Sequence, residues 1–245
     1  MEKRSFDAAC DAVIRREKIR NGIGTLGEKT LHAVLKNYYE PHQENHEVRL
    51  GKYVADIVGE NGIIEIQTRQ FTRLLEKLEY FLEFTDVTVV YPIIQTKYLS
   101  WIDTETGEAV ERRKSPKRGT IYDVIPELYA IKYTLDNPRM HLRLCLLEAE
   151  ETRYLDGWSK DKKKGSTKCD RVPTSLIEEI ALDRESDYKL FLPGELPDKF
   201  TSKDFAKAAH IRPEIARTAL NLLTYLKLTE QTGTINRSKL YRIVC

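Results

Sequence analysis

The chain has 245 residues, 41% of them hydrophobic and 32% charged, with a formal net charge of +2. That length allows one large domain or two modest ones with a sizeable core, and the composition excludes a disordered or membrane-embedded chain. No apolar run reaches the length of a bilayer span, and the N-terminal stretch MEKRSFDAACDAVIRREKIR is too charged for a signal peptide. Four scattered cysteines, Cys10, Cys145, Cys169 and Cys245, exclude a zinc ribbon or a dense disulfide framework and suit a reducing cytoplasm.

In chain order, residues 3–20 place Phe6, Ala9, Val13 and Ile14 at helical spacing and stop at Asn21-Gly22. A second helix is expected from about Thr25 to Pro41, and three short strands then follow in HEVRLG, KYVADIV and GIIEIQT. QFTRLLEKLEYFLEF is amphipathic, with Phe71, Leu74, Leu75, Leu78, Phe81 and Leu82 on one face. DVTVVYPI is a bare apolar run and predicts a buried central strand. Beyond it, KYLSWIDTETGEAVERRK reads as a hairpin turning at Thr106-Gly107, TIYDVIPELYAIKYTL as mostly helix, and MHLRLCLLEAEETRYL as an extension of the sheet. DGWSKDKKKGSTKCDR lacks apolar periodicity and reads as a loop or hinge. The expected layout is 1–155 as a body, 156–185 as a lysine-rich loop with a connecting helix, and 186–245 as a separate tail domain.

The stretch YVADIVGENGIIEIQ (Tyr53 to Gln67) is a hairpin with one acid in each arm. If Gly59 to Gly62 form a symmetric loop, Asp56 lies directly opposite Glu65; a turn shifted onto Asn61-Gly62 puts Asp56 opposite Gln67. In both registers Asp56, Glu65 and Gln67 share one face, and Ala55, Ile57, Ile64 and Ile66 share the other. Like charges opposed across a ladder repel, so either the pair is neutralised or a cation sits between them. Two rigidly placed carboxylates begin an oxygen-rich site for a hard divalent cation such as Mg²⁺ or Mn²⁺; the alternative is an exposed sheet face bearing ordinary surface acids. Glu28, three residues after Thr25 in a capping-box pattern, heads the stripe Leu31, Leu35, Tyr38 and so supplies a third acid aimed at the sheet.

With its order of helix, three strands, helix, strand over roughly residues 21–95, GTLGEKTLHAVL…KYVADIVGENGIIEIQ resembles the PD-(D/E)xK nuclease superfamily. The resemblance implies an α/β, restriction-endonuclease-like αβββαβ core. It implies that Glu28 is the helix acid, Asp56 the strand aspartate and Glu65 the first residue of the E-x-K pair. It further implies that Glu28, Asp56 and Glu65 hold Mg²⁺ or Mn²⁺ for phosphodiester hydrolysis. Gln67 stands where the family's lysine usually stands. A neutral amide supplies no positive charge, but it can orient an attacking water. Lys29, Lys52 and Lys77 are the candidates for the missing cation, and Arg69, Gln70 and Lys77 for steering the backbone.

From Lys199 to Cys245 there are 9 Lys/Arg against 3 Asp/Glu, whereas the remainder holds 31 against 35. This basic tail has the form of a winged helix-turn-helix. A short helix follows Ser202, a second opens on Pro213, and two strands flank a wing with Gly233, Asn236 and Arg237. Arg217 and Asn221 on the outer face suit bidentate base contacts, and Arg212 and Arg237 suit phosphates. Winged helices also dock proteins, and Glu214 would repel phosphate. His42 and His46 in HQENH lack the pattern of a zinc motif, and no nucleotide-binding loop is present. ERRKSPKRG (Glu111 to Gly119) could touch phosphates at a hairpin tip.

The expectation is a two-domain, metal-dependent DNA endonuclease targeted by its tail, without a nucleotide cofactor or membrane contact. A homodimer or partner subunit would serve cleavage of both strands. The alternative is a non-catalytic DNA-binding protein that keeps the nuclease fold as a scaffold.

Overall fold

The computed structural model describes residues 5–21, 29–103, 106, 108–155 and 167–244. The chain is α/β and opens with two helices, α1 (Phe6–Asn21) and α2 (Lys29–Tyr39). Three short strands follow, β1 (His46–Leu50), β2 (Tyr53–Gly59) and β3 (Gly62–Ile66), then α3 (Leu75–Leu82) and the long β4 (Val87–Ile102). Next come β5 (Ala109–Lys114), α4 (Ile125–Ala130), β6 (Met140–Tyr154) and β7 (Thr167–Leu182). These seven strands form one sheet in the order β1-β2-β3-β4-β6-β7, with β5 pairing β4 off that path.

The tail contains β8 (Phe200–Thr201), α5 (Ser202–Ala208), α6 (Pro213–Tyr225), β9 (Thr229–Ile235) and β10 (Ser238–Ile243). Its three strands form a second sheet in the order β8-β10-β9.

Two compact units result, one of Met1–Ile66, Pro92–Thr120 and Cys145–Glu179, the other of Gln67–Tyr91, Ile121–Leu144 and Ile180–Cys245. They are not the contiguous segments 1–155, 156–185 and 186–245, because residues 180–245 cluster with 67–91 and 121–144.

In the first unit, α1 buries Phe6, Ala9 and Val13, and α2 buries Leu31, Val34, Leu35 and Tyr39. The 3–4 spacing of these residues gives each helix one apolar stripe, along which the two pack, with Phe6 edge-on to Tyr38. Thr25 and the expected capping box lie outside the described residues. The connecting helix expected within 156–185 is not observed: Thr167–Leu182 is the strand β7, so the expected loop also ends earlier, at Thr167 at the latest. Leu, Glu and Ala favour a helix by only tenths of a kcal/mol per residue, roughly, and ladder pairing overrides that preference. Val172, Thr174, Ile177 and Ile180 suit a strand. Pro173 is tolerated because, among the described residues, β7 is the edge strand of the sheet order.

In the second unit, Phe71, Leu74, Leu78, Phe81 and Leu82 are buried at the expected helical intervals, first through a 3₁₀ turn and then through α3. TIYDVIPELYAIKYTL is helical as expected, and Pro126 falls in the first turn of α4, where its missing N–H costs nothing.

His210, in the left-handed region at φ 53°, follows the C-cap of α5, and Pro213 opens α6. Ala216, Ala219, Leu220, Leu222 and Leu223 of α6 are buried. The β9–β10 hairpin turns on Asn236 and Arg237, both at positive φ (47° and 63°), the pairing a two-residue I′ turn requires.

The Thr201 side chain caps α5 by accepting from the amides of Lys203 and Asp204, while Asp204 accepts the Thr201 N–H at 2.8 Å. Thr201→Ala is expected to lower stability by about 1 kcal/mol in chemical denaturation.

Candidate functional site

The β2–β3 hairpin pairs Ile57 with Ile64, Val58 with Ile63 and Gly59 with Gly62. This is the symmetric register, with Glu60-Asn61 as the turn, and one further step places Asp56 opposite Glu65. Alternation predicts that Ala55, Ile57, Ile64 and Ile66 are inside; Ala55, Ile57 and Ile66 are buried, whereas Ile64 is half-buried and Ile63, on the acid face, is buried. Glu65 is buried too, at 3% exposure, so the reading of an exposed acidic face does not describe it. A carboxylate taken out of water stays ionised only if polar groups or a cation compensate it.

At this level side chains take over from the ladder. The Asp56 amide donates to Glu65 Oε1 at 3.3 Å, and the Ile66 amide donates to Asp56 Oδ2 at 2.8 Å. Each acid therefore accepts from the backbone of the opposite strand, which fixes both carboxylates on the hairpin.

The helix above contributes residues that the sequence reading passed over. His32 Nε2 of α2 lies 3.2 Å from Asp56 Oδ2 and 3.1 Å from the Ile66 carbonyl oxygen, so one ring N–H serves both acceptors. One turn later, Lys36 Nζ donates to Glu47 Oε1 at 2.8 Å. Glu47 faces Asp56 in the β1–β2 register, which runs from His46↔Ile57 to Leu50↔Tyr53. It adopts φ 53°, a left-handed conformation that costs a non-glycine residue about 1 kcal/mol. The Lys36 hydrogen bond and charge hold the Glu47 carboxyl below its usual range; burial and the nearby Asp56 oppose this, and His32 adds to it. Glu47, Asp56 and Glu65 thus form a row of acids across β1, β2 and β3, faced by His32 and Lys36 at i, i+4 spacing on α2. That spacing on one helix was the available signal.

The other expected site residues are placed as follows. Glu28 and Thr25 lie outside the described residues. Gln67 follows β3 and turns its side-chain amide to the Arg69 carbonyl at 2.6 Å. Lys52 lies over the Tyr53 ring and Lys77 over the Phe81 ring. The HQENH histidines are engaged with Glu40: His42 Nδ1 with its carboxylate and His46 Nε2 with its carbonyl oxygen. In the tail, Arg212, Arg217, Asn221 and Arg237 are all exposed, Arg217 pairing with Glu214 along α6 at 3.6 Å.

Among the described residues, no three His, Cys, Asp or Glu side chains gather as a metal-ligand group. The local donors are instead the carboxylates of Asp56 and Glu65 and the Ile66 carbonyl, all hard oxygens. Asp56 Oδ2 and Ile66 O already converge on one point, where the His32 N–H sits. An oxygen-only donor set of this kind fits a hard divalent cation, with solvent or phosphate oxygens completing the shell. Among the described residues, no helix is long and apolar enough to cross a membrane.

Over 221 residues the chain is 28% identical to an uncharacterized protein of Treponema pallidum (strain Nichols), a match covering 90% of this chain and 87% of the relative. Over 134 residues it is 25% identical to an acetolactate synthase small subunit of Aquifex aeolicus (strain VF5), covering 54% and 69% respectively. No solved structure matches it. A family model matches residues 29–183, which contain the whole of the Asp56–Glu65 hairpin and α2, and the chain belongs to that family, described as a domain of unknown function (DUF8091).

Proposed function

We propose that this chain is a divalent-metal-dependent DNA endonuclease of the PD-(D/E)xK type, carrying the E-x-Q variant and a winged-helix tail. The observation that carries the proposal is the opposed pair Asp56 and Glu65, one of them buried, on adjacent strands of a rigid hairpin. The order α2-β1-β2-β3-α3-β4 supports an αβββαβ core. Helices α5 and α6, followed by the β9–β10 hairpin, support the winged-helix reading, and the exposure of Arg217 and Asn221 on α6 supports a base-reading role for them.

In this reading Asp56, Glu65 and the Ile66 carbonyl hold Mg²⁺ or Mn²⁺, with Glu28 as a further acid. Bound there, the ion supplies Lewis-acid activation of water and charge stabilisation at the phosphate. Asp56 and Glu65 are kept in place by cross-strand amides, so little reorganisation is needed when substrate arrives. His32, whose N–H stands between Asp56 Oδ2 and the Ile66 carbonyl, would turn aside for an ion to be held by those two oxygens. Lys36, anchored on Glu47, puts a positive charge over the acid row that Gln67 does not provide. Arg212 and Arg237 hold phosphates, and Arg217 and Asn221 read base edges. A homodimer or partner subunit would supply the second active site for cutting both strands.

The second reading, a non-catalytic DNA-binding scaffold, is favoured by two contacts: Gln67 is turned to Arg69, and the His32 N–H stands between the two oxygens. Cleavage of supercoiled plasmid and of linear and branched duplexes decides between them, with Mg²⁺, Mn²⁺ or chelator and with Glu65→Ala alongside. The expected result is metal-dependent cutting that disappears in Glu65→Ala. DNA bound but never cut would leave the scaffold, and cutting that survives in Glu65→Ala would remove the site.

A further inference from the structure

A second charged centre lies in the first unit, away from the acid row in sequence and on different strands. Glu151 of β6 has a side chain at 0% exposure. Lys97 Nζ of β4 donates to its Oε2 at 3.1 Å, and Arg171 Nη2 of β7 donates to the same oxygen at 2.8 Å. Arg153, two residues along β6, donates to Oε1 through Nε at 2.9 Å and Nη2 at 2.6 Å. Lys97 and Arg153 alone outnumber the carboxylate they bind. Their side chains keep 16% and 19% exposure, so both retain contact with solvent.

Burial, with the charges of Arg171 and Arg153 behind it, lowers the Lys97 ammonium below its usual range despite Glu151. Cations crowded in this way are stabilised by any further anion that reaches them.

The surface beside this cluster is also basic and aromatic. Arg113 of β5 pairs with Leu99 of β4, two residues from Lys97 on the same face, and its guanidinium stacks on Trp101 with 4.9 Å to the centroid. The segment after β5 is pinned to β4: the Ser115 amide donates to the Lys97 carbonyl at 2.8 Å and the Gly119 amide to the Ile94 carbonyl at 3.0 Å. A Cβ at Gly119 would lie 2.6 Å from that carbonyl oxygen, so the close approach requires glycine. Its intervening residues Lys117 and Arg118 are exposed.

We propose that this sheet face, carrying Lys97, Arg113 and Arg153 around the buried Glu151, is a second nucleic-acid surface that grips the phosphodiester backbone. Guanidinium forks fixed by a carboxylate and by ring stacking are pre-set for planar bidentate contact with phosphate, so little side-chain entropy remains to be lost on binding. With Arg153 held on Glu151 and Arg113 stacked on Trp101, its cations suit phosphate and make it a holding surface, whereas Arg217 and Asn221 of the tail would read sequence. The proposal rests on nucleic acid being the partner, as in the proposed function, but not on cleavage.

The test uses the full chain in chelator, so that nothing is cut, with a fluorescein-labelled duplex followed by anisotropy over a series of KCl concentrations. Arg113→Glu, at an exposed position, and Lys97→Met are compared with wild type after circular dichroism shows the native fold. Each is expected to weaken binding by about tenfold and to reduce the salt slope by about 1. Two native-like variants that bind with wild-type affinity and slope would overturn the proposal, as would a wild type that binds no duplex at low salt. Weakened binding in these variants, with no cutting by wild type in Mg²⁺ or Mn²⁺, would support this surface while removing the nuclease reading. Cutting that Glu65→Ala abolishes, with unchanged binding in Arg113→Glu and Lys97→Met, would do the reverse.

Discussion

Asp56→Asn is expected to abolish metal-dependent cleavage, a loss of about 10³-fold or more that corresponds to about 4 kcal/mol of transition-state stabilisation. Asparagine is the informative replacement because Asp56 has two functions. Its Oδ2 accepts the Ile66 amide at 2.8 Å and faces His32 at 3.2 Å, so it helps to close the hairpin. An asparagine carbonyl oxygen can accept the same amide, which leaves the hairpin intact and removes only the negative charge. Alanine would strand the Ile66 amide, at a cost of about 1–3 kcal/mol, and would mix a folding effect into the kinetic one. Cleavage lost in a variant that melts like wild type assigns the charge to the chemistry. Cleavage retained at the wild-type rate would remove Asp56 from the site.

The core of this site was legible in the sequence because a tight hairpin leaves few registers. Once Gly59 and Gly62 bracket a two-residue turn, Asp56 must oppose Glu65. Burial of Glu65 was not legible, since alternation assigns a residue to a face without saying what covers that face. His32 and Lys36 escaped for a related reason. A histidine or lysine on an amphipathic helix ordinarily faces solvent, and only the placement of α2 over β1 to β3 turns their side of the helix to Asp56 and Glu47. Glu47 depends on a left-handed residue inside a strand, which no propensity anticipates.

Elements with a strong apolar signal were readable, α3 and α6 from helical spacing and β4 from its unbroken apolar run. β7 was not, because SLIEEIAL carries helix-favouring residues in a segment whose pairing decides its state. The grouping of residues 180–245 with 67–91 and 121–144 was equally hidden, since composition and charge mark boundaries along the chain and not clusters in space.

The same limit concealed Glu151, one acid in the run EAEET, which only the alignment of β4, β6 and β7 reveals as the anchor of three cations. Glu151→Gln is expected to cost about 3–5 kcal/mol of stability at neutral pH, because it leaves partly buried cations facing one another without their counter-charge. Its pH dependence identifies the cause. Burial alone would raise the Glu151 carboxyl, but hydrogen bonds from Arg171 and Arg153 and the charge of Lys97 outweigh it and bring it from 4.5 to about 2. A carboxyl lowered on folding stabilises the protein fully above its unfolded value and loses that contribution as pH falls through the folded value. Wild type should therefore shed about 3 kcal/mol between about pH 4.5 and pH 2, by the linkage of about 1.4 kcal/mol per unit. The glutamine variant lacks this component, so urea unfolding at stepped pH should show the two proteins converging as the medium is acidified. A constant gap down to pH 2 would mean that packing around residue 151, and not its charge, carries the stability. A gap below about 1 kcal/mol at neutral pH would mean that the three cations find water or other partners at little cost.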